Sequence, residues 1–209
     1  MQSEQHLSLL DRFSHIDYPD NLTKRDKELV LEQCDIQGDL YDEAIQNFAL
    51  AYADAKIFSS NPENLKNLTE EILENLILKW AEQIEPKHNA PKRNTGKGYR
   101  DTPVVFSSGK EAINWQGVER RVQMLCKFAT TLFDIDDPSR ISPEELYKEF
   151  EEVHPFEDGN GRVGDLLWKL AITRETGIWP ETLSPDLFGE DRTMLDESQY
   201  IIIIAARFY

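Results

Sequence analysis

Cysteine is scarce in this 209-residue chain, and the two present, Cys34 and Cys126, lie far apart without metal-binding spacing. That excludes a disulfide framework and a zinc site as organising devices, so both thiols read as small buried hydrophobes. Positive charge is in deficit as well: 23 Lys and Arg against 39 Asp and Glu leave a net charge of −16. A general nucleic-acid or anionic-membrane surface needs the opposite sign, so no nucleic-acid and no membrane partner is expected. A nucleotide, if bound, must be held by a local cationic pocket against the overall field. Long apolar runs are missing; the longest aliphatic run, residues 201–204, is far too short to span a bilayer. Residues 1–12 lack a basic end followed by an apolar stretch, so no secretory signal is expected and the expected compartment is the cytoplasm. Internal repeats and low-complexity tracts are lacking too.

What is present is helical periodicity. A short helix is expected around Leu9, Leu10 and Phe13, and a second starting at Thr23, carrying Leu29 and Val30 and ending at Gly38. Ala44, Phe48, Ala51, Tyr52 and Ala55 make 40–58 an amphipathic helix. Ser60 and Glu63 form a capping box opening a helix whose buried side would be Leu65, Leu68, Ile72, Leu76, Trp80 and Ile84. Residues 85–98, rich in Pro, Gly and Asn, read as a loop, and its Lys87, Lys92, Arg93 and Lys97 read as solvated. Residues 99–106 give the one convincing β-like run. A further capping box, Ser108 to Glu111, precedes a long core helix through Phe133 with Val118, Val122, Leu125 and Ala129 inward. After Pro180 come loops, then an apolar tail over 194–209 that periodicity leaves as helix or strand.

The chain is organised around residues 154–162, His-Pro-Phe-Glu-Asp-Gly-Asn-Gly-Arg. Ser142, Pro143 and Glu145 start a helix before it, with Leu146, Phe150 and Val153 on one face, and Pro155 stops that helix at His154. Val163, Leu167 and Leu170 resume the period afterwards. The stretch is therefore a tight loop between two helices, with Gly159 and Gly161 supplying unusual backbone angles. Its exit is a helix N-terminus, which favours an anion, and Arg162 adds a positive charge there. His154 is a base suited to neutral pH. Asp158 is a hard oxygen ligand of the kind that holds Mg²⁺ beside substrate phosphates. Base, metal ligand, anion cradle and guanidinium together are what transfer of a phosphate-centred group to a hydroxyl requires.

This stretch resembles the signature of Fic-domain proteins, His-Pro-Phe-x-Asp/Glu-Gly-Asn-Gly/Lys-Arg, at every specified position, and the resemblance covers about residues 98–180. It implies an all-α fold with a small β-hairpin flap. Residues 1–85 would form a helical N-terminal extension packed on a catalytic domain over 86–209, the whole being one compact unit. The implied activity is protein adenylylation, moving AMP from ATP to a Ser, Thr or Tyr hydroxyl of a target protein. Carried over by position, His154 would be the base. Asp158 would hold Mg²⁺ or Mn²⁺, while Asn160 with the amides around Gly159 and Gly161 would fix the phosphates. Arg162 would neutralise leaving pyrophosphate, and Phe156 would anchor the loop in the core. Tyr99, Arg100, Val104 and Val105 would belong to the flap that docks the target segment by main-chain pairing.

Two departures bear on the carry-over. Many AMP-transferring relatives carry a second Arg three residues after the first; here that position is Asp165. A carboxylate there would weaken the grip on a γ-phosphate, unless it turns outward and pairs with Lys169. Residues 59–64 match an inhibitory Ser/Thr-x-x-x-Glu-Gly/Asn pattern, yet Pro62 and the competing capping box place Glu63 at a helix start, so we read the match as coincidence. A separate inhibitory protein of antitoxin type is the implied alternative. Two other readings stand beside AMP transfer: a relative using UTP, CDP-choline or a phosphoryl group from ATP, and a non-catalytic interaction module.

Overall fold

The computed structural model describes residues 8–93, 96–106, 111–131 and 141–186. The apolar tail over 194–209, the turn over 134–140 and most of the Ser108–Glu111 box lie outside them. The architecture is all-α: α1 (Leu9–Arg12), α2 (Lys24–Gln37), α3 (Asp42–Ser59), α4 (Pro62–Lys66), α5 (Glu70–Ile84), α6 (Pro86–Asn89), α7 (Val118–Thr131), α8 (Pro143–Val153) and α9 (Asn160–Thr176). No helix among the described residues is long and apolar enough to cross a membrane.

Local chemistry sets most of these boundaries. Thr23 and Asp26 cap α2 reciprocally, and Gly38 closes it at φ 80°. Ser142 and Glu145 do the same for α8, with Pro143 in its first turn. The helix expected from Ser60 onward is in fact two. Asn61, not Ser60, caps the short α4. The chain then breaks at Asn67 and Leu68, and Thr69 caps α5 by accepting from the Ile72 amide. The restart rotates the helix, so Leu73, Ile77, Trp80, Ala81 and Ile84 face inward while Ile72 is exposed. Glu111 is not at a helix start: it pairs with Val105 in an isolated antiparallel bridge, and α7 begins only after a 3₁₀ turn over Trp115–Gly117.

One hydrophobic cluster runs through the molecule, drawing Leu31, Phe48 and Trp80 from the N-terminal helices together with Val122, Phe150 and Leu167. Cys34 and Cys126 are both buried free thiols within it. At its centre lies α9, packed against α8, α3, α5 and α2. A helix covered on nearly every side buries its polar residues too, and each must then find a partner. Arg162, Asp165 and Lys169 of α9 are all fully buried, and this fact shapes the site.

Candidate functional site

The turn from α8 into α9 is the floor of a cleft of about 470 Å³. His154 caps α8 in the left-handed region, at φ 47° and ψ 63°, the single non-glycine there among the described residues. Such a backbone costs about 1–3 kcal/mol and persists where surroundings enforce it. Arg100 is the enforcer. Its amide donates to the Pro155 carbonyl at 2.9 Å, and its Nε donates to the His154 carbonyl at 2.7 Å. Its two terminal nitrogens donate to the Thr102 and Ile113 carbonyls. One buried guanidinium thus ties the flap to the loop. Tyr99 is buried as well, donating to Glu74 at 2.8 Å and stacking on Phe156 with ring centroids 5.8 Å apart. Tyr99 and Arg100 therefore do not face a docking segment; their side chains are consumed inside the protein. Val105 is exposed, and the Val104 carbonyl accepts from the Ala112 amide at 2.9 Å. Phe156 is fully buried and does anchor the loop.

His154 lines the cleft with the Phe106 ring edge-on at 4.9 Å. Burial pushes its pKa from 6.5 to about 4; the Arg100 charge acts the same way, and the Glu151 backbone and Asp158 carboxylate oppose them. At neutral pH the imidazole is therefore uncharged and able to take a proton.

Opposite the base, Gly159 caps α9 at φ 78°, and the amides of Asn160, Gly161 and Arg162 fall in the first turn, where no carbonyl four residues back is available. Gly159 alone of the two loop glycines has the left-handed backbone expected of both; a Cβ on Gly161 would lie 2.7 Å from Nε2 of Gln37, whose side chain would have to swing aside. Asn160 does not offer its side chain to a phosphate. It is buried, accepting from the Phe156 amide and donating to the Phe156 carbonyl, each at 3.0 Å, which locks the turn shut. Asp158 is half exposed and lines the cleft, its Oδ1 accepting from the Gly159 amide at 2.6 Å. A half-exposed carboxylate of this kind is a hard oxygen donor able to hold a divalent cation. A second donor set, Glu85, His88 and Asp158, brings its ligand atoms within 4.8 Å of one another. That set suits a cation poorly, because Arg162 already holds Glu85.

Arg162 is the largest departure from expectation. Its guanidinium does not line the cleft; it is fully buried, with Nη2 2.8 Å from Asp39, 2.8 Å from Glu85 and 3.7 Å from Asp158. On a central helix the long side chain runs into the packed interior, where only carboxylates make its charge tolerable. Asp165 does pair with Lys169, but inside the protein rather than at the surface, and it does not line the cleft. It lies 3.7 Å from Lys169 and accepts from the Ser184 amide at 2.7 Å. Burial pushes the Asp165 carboxyl upward and the Lys169 ammonium downward.

The described cleft lining holds Glu151, Glu152, Glu157, Asp158 and Asp186 but no Lys or Arg. Lys92 and Lys97 of the basic loop are spent on Glu157 at 3.2 Å and on Glu74 at 2.6 Å. Gln33, whose amide donates to the Gly161 carbonyl at 3.3 Å, and Asn89, which donates to the Asp158 carbonyl at 2.9 Å, complete the loop's support. With Gln37, Asp39 and Glu85 they are functional positions that sequence reasoning missed. No local pattern marks them, since each acts across more than 60 residues of chain.

No family model matches the chain, and no curated protein does. Among solved structures, a Fic domain containing signaling protein from Bacteroides thetaiotaomicron VPI-5482 is 18% identical with a TM-score of 0.51, over 95% of this chain and 65% of that one. A Fic family protein from Desulfovibrio desulfuricans G20 is also 18% identical, with a TM-score of 0.46, over 81% of this chain and 55% of that one. The chain thus spans less than two thirds of the length of either. The first likeness shows the fold: the chain shares the helical architecture of that Fic domain containing protein.

Proposed function

We propose that the chain is a nucleotidyltransferase that moves AMP from ATP to a Ser, Thr or Tyr hydroxyl of a partner protein. The observation that carries this reading is the pairing, in one cleft, of an uncharged His154 with the unused first-turn amides of α9. The amides receive the phosphates, His154 removes the acceptor hydroxyl's proton, and the hydroxyl oxygen forms a bond to the α-phosphorus. The bond from that phosphorus to the bridging oxygen breaks, and pyrophosphate leaves. Mg²⁺ held by Asp158, when bound, supplies positive charge at the phosphates. That supply matters here, since no lysine or arginine side chain lines the described cleft. Val104 and Val105 present the flap backbone to an extended acceptor segment.

A second reading is favoured by a specific observation. Arg162 and Asp165 both turn into the core, so no side chain from this turn grips a γ-phosphate, and a donor lacking one would lose little. ATP labelled at the α- or the γ-phosphate, UTP and CDP-choline, each incubated with Mg²⁺ and a protein extract, separate the two readings. Label retained from α-ATP alone supports AMP transfer. Label from CDP-choline in preference to ATP supports the second reading, label from UTP alone changes the nucleotide without supporting it, and retention of the γ-label reassigns the reaction to phosphoryl transfer.

A further inference from the structure

After α9 the chain does not leave the molecule but is strapped back across it. The Trp179 indole donates to the Tyr52 hydroxyl at 3.0 Å, and Arg25 Nε donates to the Glu181 carbonyl at 3.2 Å. Lys169 Nζ donates to the Thr182 carbonyl. The Ser184 amide donates to Asp165 Oδ1 at 2.7 Å. The last two anchors come from a fully buried ion pair, whose desolvation is tolerable only because each partner has work to do. Immediately beyond them, Leu183, Ser184, Pro185 and Asp186 form a wall of the same cleft that holds His154. The buried pair on α9 therefore determines where one side of the cleft stands.

We propose that Asp165 and Lys169 are positioning residues that fix residues 182–186 as the wall against which the nucleoside part of the donor packs. This rests on the transfer reading above, in which the phosphates occupy the amides of the α9 first turn. The remainder of the donor must then lie elsewhere in the cleft, where Leu183, Pro185 and the Tyr147 ring offer apolar surface. The position that many relatives fill with a phosphate-gripping Arg has here been turned to a different task, holding the strap.

The test combines hydrogen exchange with kinetics on the full chain. Asp165→Ala removes the acceptor, while Asp165→Asn keeps an oxygen for the Ser184 amide. Because Asp165→Ala leaves Lys169 buried without its partner and can prevent folding, Ser184→Pro deletes the same hydrogen bond from the strap side. Glu181→Ala, which removes an exposed side chain outside the cleft lining and keeps the carbonyl that Arg25 holds, is the control. Losing a hydrogen bond to a charged group predicts about tenfold to hundredfold faster exchange over 182–186 in Ser184→Pro, with α9 still protected. Asp165→Asn is expected to lie between wild type and that variant. The KM for MgATP is expected to rise by about the same factor while kcat holds, with Glu181→Ala near wild type. Exchange over 182–186 as slow in Ser184→Pro as in wild type overturns the anchoring. Faster exchange with unchanged KM overturns the wall's contact with the donor. A wild-type chain that binds no MgATP overturns that contact along with the transfer reading it rests on, while the exchange result still decides the anchoring.

Discussion

Replacing Arg162 by Met separates a buried clasp from a phosphate ligand. In the structure the guanidinium has no solvent exposure and draws Asp39, from the α2–α3 connection, and Glu85, after α5, onto the turn between α8 and α9. Methionine would fill much of the volume but leave two carboxylates close together, Glu85 with about a tenth of its side chain exposed and Asp39 with about a fifth. Stranding one partner of a buried pair costs about 3–5 kcal/mol. The lower end applies here, because Asp39 is partly solvated and the Nε and Nη1 donors of Arg162 have no hydrogen-bond partner. At about 2–4 °C per kcal/mol for a chain of this size, Arg162→Met should melt roughly 6–12 °C lower. Glu85→Gln combined with it should recover part of the loss, by about 0.5–3 kcal/mol of coupling. Thermal unfolding followed by circular dichroism on the two single variants and the double variant completes the cycle. A phosphate-facing arginine behaves oppositely, with little change in melting and weaker MgATP binding. A melting shift under about 2 °C together with a large loss of nucleotide affinity would refute the clasp.

Three further outcomes follow from the same geometry. His154 is held near pKa 4 in the folded chain, below its usual 6.5, so the unfolded chain binds the extra proton between those values. Stability should therefore fall as pH drops from about 6.5 to about 4, by up to about 3 kcal/mol, and denaturant melts of His154→Gln should show a flatter profile there. For the same reason, the acid limb of kcat/KM should lie near pH 4–5 rather than 6.5, and a limb at 6.5 would contradict the burial argument. Gly98→Ala would place a Cβ 2.2 Å from the Asn89 carbonyl oxygen, pushing on the residue that supports the Asp158 backbone; an overpacking loss of about 1–3 kcal/mol is expected, and an unchanged melting temperature would contradict it.

Elements whose ends are set by neighbours in sequence were legible from sequence. The Thr23–Asp26 and Ser142–Glu145 boxes, Gly38, and the stop that Pro155 imposes at His154 all stand where local chemistry puts them. The break between α4 and α5 was missed because Leu68 continues the apolar stripe, and only the Thr69 cap reveals the restart. The turn itself was legible as a base beside an anion cradle. The directions of its side chains were not. Asn160 turns back onto the Phe156 backbone, while Arg162 and Asp165 belong to a helix covered on nearly every side, and their partners, Asp39, Glu85 and Ser184, come from parts of the chain that periodicity cannot connect. The inward direction of Tyr99 and Arg100, expected in a target-docking flap, was hidden for the same reason: the flap's root is a core element held by Glu74, Phe156 and the His154 carbonyl.

The most direct test of the central claim is transfer of label from α-labelled ATP to protein, by wild type and by His154→Ala, with Mg²⁺ present and modified peptides identified by mass spectrometry. Loss of a positioned base costs about 10²–10⁴-fold in rate. The expected result is AMP on a Ser, Thr or Tyr side chain with wild type, and labelling reduced by about that factor with His154→Ala, whose melting temperature stays near wild type. Equal labelling by the two proteins, or none by folded wild type with any donor tried, would contradict the assignment of His154 as the base of a nucleotide transfer.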